Sequence, residues 1–250
     1  MPSTLTLGTP LIHFDSVDST NRAALRAASE DAAEGTLFVA DAQTAGRGRH
    51  SREWYSPPGL GLYFSVLLHP KISALEANNL VLQSAVAVCD AIEELYDYAV
   101  GIKWPNDIYS GNRKLGGILL ETTITGDTIE NAVIGIGLNM RHSIEDFPVE
   151  LRAEATSLKE VTGKDITDTL LIERILSIYG DYYYKREECG IDKWIKRCIH
   201  MKKQIKINHN GMVLQGSFSE VSPDLSFTLK DEFGHENKIE YGEISLDMEV

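Results

Sequence analysis

Four groups of residues have the types and spacing to handle a charged, polar ligand. The stretch from Gln43 to Gly61 reads QTAGRGRHSREWYSPPGLG and packs Arg47, Arg49 and Arg52 into six residues. Gly46 and Gly48 let this backbone turn sharply and approach a ligand, while guanidinium forks hold carboxylate or phosphate oxygens in fixed geometry. Farther on, Lys103, Asn106 and Asp107 crowd the KWPND stretch, and Lys114 precedes Leu115-Gly116-Gly117, whose glycines leave room against the backbone. Ser19-Thr20-Asn21 offers hydroxyl, amide and backbone N–H groups together. Each group also has an ordinary reading: a solvated arginine turn, a Pro-Asn-Asp loop, a helix cap. Only their convergence on one place would give them chemistry.

The elements that must position these residues can be read from periodicity. Leu11 onward gives a short strand, then a cap at Asp18 or Ser19 and an alanine-rich helix, so Ser19-Thr20-Asn21 falls at a helix start. Thr36 to Gln43 predicts a buried strand entering the arginine loop, and Leu60 to Leu68 the strand leaving it. Ser73 with Glu76 predicts a capping box opening a core helix through Leu80, Val81, Ala85, Val88 and Ile92, with Cys89 as a small buried hydrophobe. Val100 to Trp104 suits a strand, Ser110 to Asn112 and Thr125 to Asp127 are hairpin turns, and Thr128 to Met140 is a further strand.

Arg141 to Glu154 is polar and irregular, a candidate mobile segment. Helices are predicted over Ile166 to Glu188 and Ile191 to His200, with Tyr182, Tyr183 and Tyr184 as packing residues. After Met201 the pattern shifts to short alternating runs broken at Asn210-Gly211, Ser222-Pro223-Asp224 and Phe233-Gly234, which reads as a small β-barrel of four to six strands.

Composition narrows the classes. The chain has 250 residues, 43% hydrophobic, enough for one large core plus a small appended domain. Its apolar runs are too short to span a bilayer and the first nine residues do not resemble a signal peptide, so a cytoplasmic location and no membrane partner are expected. Cys89, Cys189 and Cys198 form no C-x-x-C pair, and the seven histidines show no metal-ligand spacing. Gly135-x-Gly137 lacks the third glycine and following helix of a dinucleotide fingerprint, and there is no G-x-x-x-x-G-K-[ST] loop. A net charge of −13 argues against bulk attraction to nucleic acid and makes the cluster Arg47 to Arg52 a local exception.

Ser19-Thr20-Asn21, QTAGRGR with Arg52 and Trp54, KWPND at Lys103 to Asp107, KLGGIL at Lys114 to Leu119 and GIGLN at Gly135 to Asn139 follow one another in family order, and the chain resembles biotin protein ligases over about Phe14 to Met140. His50-Ser51 stands where that family often has a basic residue and glycine, and Pro223-Asp224 stands at a turn more usually made by glycine.

The resemblance implies an α+β fold: a class II synthetase-like catalytic domain over residues 1–200, with a mixed sheet and helices on one face, and an SH3-like barrel over 201–250. It implies biotin and ATP as substrates with Mg²⁺, a biotin carboxyl carrier protein or domain as acceptor, and a possible homodimer. Ser19, Thr20, Asn21, Gln43, Gly46, Arg47, Gly48, Arg49, Lys114, Gly116 and Gly117 would hold biotin, with the strand Leu62 to Leu68 along its tail. Arg49, Arg52, Trp54, Lys103, Asn106, Asp107 and Asn139 would lie on the nucleotide side, and Lys114, Arg47 and Arg49 would carry the chemistry.

Two alternatives stay open. A lipoate or octanoate ligase or transferase of related fold would lack the GRGR-x-x-R-x-W loop. A non-catalytic ligand-binding relative would lose Lys114 or the arginines. The 18 residues before Ser19 are too few for a winged-helix domain, so a ligase without a repressor role and no nucleic-acid partner is expected. Binding of this chain to duplex DNA should accordingly be weak and fall steeply with salt in a mobility-shift titration. A salt-resistant, sequence-dependent shift would contradict that expectation.

Overall fold

The structure, a computed structural model, describes residues 7–74, 76–185, 191–209, 212–222, 224–240 and 245–247. The sequence-expected turns at Asn210-Gly211 and Pro223, the end of the helix predicted to Glu188, and Cys189 lie outside the described residues. The main sheet comprises β1 (Leu11–Phe14), β2 (Leu37–Ala40), β3 (Gly61–Leu68), β4 (Ile72–Ser73), β5 (Gly101–Lys103), β6 (Asp107–Ser110), β7 (Arg113–Thr125) and β8 (Thr128–Asn139). Its order is β1-β2-β3-β8-β7-β6-β5, with β4 on β8. Only β1 and β2 run parallel, so the sheet is mixed.

β3 is buried along its whole length, because its apolar run, broken only by Ser65, faces a packed layer on each side. Leu62, Phe64, Val66 and Leu68 point into the large core with Leu80, Val81 and Ala85 of α2 (Ala77–Tyr96). The alternate face carries Leu67, which joins Phe38 and Val133 against Ala23, Ala24 and Ala28 of α1 (Thr20–Ala28). Thus α2 covers the face expected to carry helices, and α1 adds a small second core across the sheet. The ligand-type residues Ser19, Thr20 and Asn21 stand at the α1 start, on that second face.

Ser73 and Glu76 do bond, the Ser73 amide and hydroxyl donating to Glu76 Oε2 at 2.9 and 2.7 Å. They do so in the turn between β4 and α2 instead of as a capping box, since Ser73 is still paired with Thr128 in the sheet and Glu76 takes the N-cap position. Arg141 to Glu154 contains two short 3₁₀ turns, and α3 (Leu158–Thr162), which periodicity did not suggest, follows it. α4 (Asp168–Lys185) packs on α2 through Tyr179 and Tyr182, and Arg174 grips Glu94 with two bonds of 2.5 and 2.9 Å. α5 (Ile191–Arg197) buries Trp194 completely. Cys89 and Cys198 are buried, which pushes their thiols up to about 12 and about 11 and leaves them un-ionised near neutrality. No helix among the described residues is long and apolar enough to cross a membrane.

The C-terminal sheet is antiparallel, ordered β12-β11-β10-β9-β13, from β9 (Gln204–His209), β10 (Met212–Val221), β11 (Phe227–Lys230), β12 (Glu236–Ile239) and β13 (Ser245–Asp247). Trp104 bolts it to the main sheet: the indole N–H donates to the Leu225 carbonyl at 2.7 Å and the ring meets Phe227 edge-on at 5.1 Å. The tryptophan of KWPND therefore joins the two sheets.

Two histidines are buried uncharged. His142 stacks on Phe147 at 4.5 Å with neither ring nitrogen partnered among the described residues, and burial pushes it down to about 4. His200 is 1% exposed, and burial with the nearby Lys103 and Lys203 charges also pushes it down to about 4. In the unfolded chain both titrate near 6.5, so between 6.5 and 4 the unfolded state binds more protons and stability falls with falling pH. Each histidine contributes of order 3 kcal/mol across the whole window. Urea unfolding should show stability declining already from pH 6.5 to 5, above the range where carboxylates titrate; a flat profile there would contradict buried, neutral histidines.

Candidate active site

The arginine loop is a closed excursion between β2 and β3. Gln43 pairs with Val17 and Arg47 with Glu53 as isolated bridges, the Trp54 amide donates to the Gly46 carbonyl at 3.0 Å, and the Gly48 amide to the Arg52 carbonyl at 2.7 Å. Gly46 is needed for closeness: a Cβ there would overlap the Trp54 carbonyl. At the tip, His50 and Ser51 adopt φ of 54° and 61°, a left-handed pair of non-glycine residues. The loop thus holds its shape with Arg47 and Arg49 partly buried, and with Arg52 and the left-handed tip exposed.

Room for the site comes from glycines on the α1 face. Gly117, Gly135 and Gly137 sit on adjoining positions of β7 and β8, where Gly117 pairs with Gly137 and Leu119 with Gly135. A Cβ at Gly135 would overlap Asn21 Oδ1, and one at Gly137 would press on the Trp54 indole. Two of these glycines therefore admit the protein's own Asn21 and Trp54 side chains. Over this floor opens a cleft of about 1120 Å³, large for a single small ligand and suited to two reactants side by side.

The cleft gathers most of the residues singled out from sequence. Ser19, Thr20, Asn21 and Gln43 lie at one end; Arg47, Gly48, Arg49, Arg52 and Trp54 form the loop wall; Lys103, Asn106, Asp107, Lys114, Gly117 and Asn139 line the remainder. Gly46 and Gly116 do not line it, and a Cβ on Gly116 would overlap Leu138 on the core side. Nor does any residue of Leu62 to Leu68, which forms the buried floor beneath. Periodicity gave no hint that the C-terminal sheet would reach the site, yet Lys203, Gln204, Ile205 and Lys206 line it beside His200.

Four of the cleft's cations, Lys114, Arg47, Arg49 and Lys103, have partners within the protein. Lys114 Nζ is 2.7 Å from Asp107 Oδ2 and 5.5 Å from the Trp54 ring centre. The Arg47 guanidinium is 2.7 Å from Glu121 Oε1, and Arg49 donates to Asn106 Oδ1 at 3.2 Å. Asn106 in turn donates through Nδ2 to the Ile118 carbonyl. Lys103 sits over the Tyr109 ring at 5.3 Å. At the other end, the Thr20 amide and hydroxyl donate to Gln43 Oε1 at 2.9 and 3.3 Å, and Gln43 Nε2 donates to Ser56 Oγ at 3.0 Å. Ser65 Oγ lies 2.7 Å from Thr20 Oγ1 and 2.6 Å from Asn21 Oδ1, so its single proton serves one of them at a time. Asn139 Nδ2 donates to the Thr156 carbonyl at 3.0 Å and reaches the Lys114 carbonyl at 3.4 Å, tying β8 to the segment that follows.

Ser65, Ser56 and Glu121 were not among the sequence candidates. A lone serine inside LYFSVLL and a carboxylate closing the apolar run after KLGG are the signals that could have found two of them. Chemically, the arrangement has a polar end, a cationic middle and a second cationic wall from the C-terminal sheet, as needed to bring two anions together beside a neutral hydrogen-bonding group. Unit charges 4 Å apart repel by roughly 4 kcal/mol at an effective dielectric of about 20, which cations already in place can cancel.

The sequence model of the Biotin/lipoate A/B protein ligase family matches residues 13–139. The chain is 42% identical over 177 residues to the bifunctional ligase/repressor BirA of Bacillus subtilis, covering 71% of this chain and 54% of that protein. It is 28% identical over 227 residues to the biotin–[acetyl-CoA-carboxylase] ligase of Paracoccus denitrificans, covering 88% and 93%. Among solved structures, the biotin protein ligase from Aquifex aeolicus in complex with biotin and ATP superposes with a TM-score of 0.80 at 31% identity, over 96% of this chain and 99% of that one. The chain spans about half the length of the first curated relatives it matches.

The left-handed tip makes a prediction separable from any ligand. Ser51 is exposed, so its side chain matters little and its backbone matters most. Ser51→Gly should hold or raise stability by up to about 1 kcal/mol, whereas Ser51→Val should lower it by about 1–2 kcal/mol. Equal melting temperatures for the two variants would show that the tip is not held in this conformation.

Proposed function

The chain belongs to the Biotin/lipoate A/B protein ligase family and, within it, to the biotin protein ligases, and from that premise we propose that it activates biotin with ATP and passes the biotinyl group to a lysine of a biotin carboxyl carrier protein or domain. The observation that carries this reading is the meeting, in one cleft, of the polar group Ser19-Thr20-Asn21-Gln43 with the cations Lys114, Arg47 and Arg49. In the first step an oxygen of the biotin carboxylate attacks the α-phosphorus of ATP, the bond to the β-phosphate breaks, and pyrophosphate leaves. In the second, a neutral lysine amine of the acceptor attacks the acyl carbon of biotinyl-5′-AMP, losing a proton as AMP departs.

Lys114 is the side chain best placed to neutralise the meeting anions, since its present partner Asp107 is a side chain it can exchange for ligand oxygens. Arg47 and Arg49 would wrap the mixed anhydride from the loop and shield it from water. The ureido ring needs both donors and acceptors, which suits Ser19, Thr20 and Gln43; Asn21 has both amide hydrogens already committed, to the Leu119 carbonyl and to Glu121, and offers at most an Oδ1 lone pair. Arg52, Trp54, Lys103, Asn106, Asp107 and Asn139 would stand on the nucleotide side. Mg²⁺ would enter with ATP, held chiefly by phosphate oxygens and by at most one or two carboxylates such as Asp107 or Glu154 at the cleft wall, which fits the few carboxylates there.

Lipoate or octanoate chemistry is disfavoured, because the relatives whose names state a substrate are named for biotin. Mass spectrometry after incubation with ATP, Mg²⁺ and either biotin or lipoate tests the reading: biotinyl-5′-AMP should form and lipoyl-AMP should not. Lys114→Ala should fold normally and form the adenylate at least about a hundredfold more slowly. Adenylate formation at the parent rate would remove Lys114 from the chemistry, and lipoyl-AMP alone would replace the substrate.

A further inference from the structure

Glu121 has no place in the chemistry above, yet it sits where the two ends of the cleft meet. It lies on the cleft face of β7, two residues beyond Leu119, which lines the cleft, and is paired with Val133. Its own side chain does not line the cleft and is only 18% exposed. One carboxylate oxygen is 2.7 Å from the Arg47 guanidinium of the loop; the other accepts from Asn21 Nδ2 at 2.9 Å. Asn21 continues the chain through Ser65 to Thr20, and Thr20 to Gln43. A single half-buried carboxylate therefore spans from the loop arginine to the polar end. Carboxylates are placed in such a strand position at a desolvation cost that a fixed cation and a fixed amide offset.

We propose that Glu121 is a positioning residue that holds Arg47 over the reacting anion and orients the Asn21 amide, so that occupancy of the polar end and closure of the loop are energetically coupled. The proposal rests on the biotin ligase reading for the identity of the ligand. Its alternative is an ordinary structural ion pair with no bearing on the ligand, the common fate of half-exposed pairs. The two differ in what each substitution should do. Glu121→Gln keeps an acceptor for Asn21 and removes the charge facing Arg47. Glu121→Ala removes both.

The experiment measures two quantities on the full chain: biotin affinity by calorimetry, and the rate at which preformed biotinyl-5′-AMP escapes into solution. E121Q should leave biotin affinity within about threefold and raise adenylate escape on the order of tenfold, the scale of losing a hydrogen bond to a charged group. E121A should raise escape equally and also weaken biotin on the order of tenfold. The double variant E121Q/R47A should lose the adenylate no faster than R47A alone, because both changes break one interaction. Additive escape rates in that cycle, or an E121Q that alters melting temperature while sparing both ligand readouts, would reduce Glu121 to a structural role. Circular dichroism on each variant separates misfolding, and a misfolded E121Q leaves Glu121→Asp, which keeps the charge at shorter reach and should give escape between parent and R47A; parent-like escape for E121D with biotin affinity lost would overturn the proposal. A parent that makes no biotinyl-5′-AMP would instead overturn the functional reading, leaving the two failures distinct.

Discussion

A site built to bring anions together must keep its cations ordered when no anion is there. In a protein of net charge −13 this is done for three of the cleft's cations by a partner of the protein's own. Lys114 rests on Asp107, Arg47 on Glu121 and Arg49 on the Asn106 amide oxygen. The partners are themselves fixed: Asp107 opens β6 opposite Gly117, Glu121 also holds Asn21, and Asn106 is tied to the Ile118 carbonyl. A lysine or arginine side chain left loose would lose much of its rotamer freedom on binding, at a cost of up to about 2 kcal/mol. Placing it beforehand moves that cost from the binding step to folding, where the whole core shares it.

The rest of the architecture follows from that need for short, fixed distances. Gly135 and Gly137 drop their side chains so that Asn21 and Trp54 can reach the sheet, and Gly46 lets the loop close on Trp54. Trp104 bolts the C-terminal sheet to β5, and through it Lys203 and Lys206 reach the cleft wall. The core beneath is rigid because β3 is buried on both faces, so the polar network through Ser65 rests on a floor that does not yield. Among the described residues that line the cleft, His50 is the non-glycine residue with a left-handed backbone, beside Ser51 at the exposed loop tip.

Much of this was legible in the sequence because motif residues are constrained by chemistry and strands by a period of two. The loop, the KWPND turn, Lys114 and the helix start at Ser19-Thr20-Asn21 were each placed from residue type and flanking pattern. The misses have physical reasons. Ser73 and Glu76 form the expected bonds, but strand pairing of Ser73 with Thr128 outweighed the local capping preference. A helix on the second face was hidden because the alternation in Leu62 to Leu68 is apolar on both sides and marks neither face as empty. Gly116 and Gly117 read alike as letters, yet the pleat sends one toward Leu138 and the other into the cleft. Glu121 and Ser65 act through partners about 100 and 45 positions away, and no local pattern encodes such pairs. The contribution of Lys203 to Lys206 depends on how the second sheet docks, through contacts such as Trp104 with Leu225 and Asn78 with Asp224 that join residues far apart in the chain.

The central claim is that Lys114 is a cation kept in readiness by Asp107 and released to the ligand. A crystal structure of the protein with biotinyl-5′-AMP tests it most directly, by the position of Lys114 Nζ. The account predicts that Nζ leaves its 2.7 Å contact with Asp107 Oδ2 and lies within hydrogen-bond distance of the acyl-phosphate oxygens. A bound intermediate whose acyl-phosphate is held by other groups, with the Lys114–Asp107 pair intact, would contradict it.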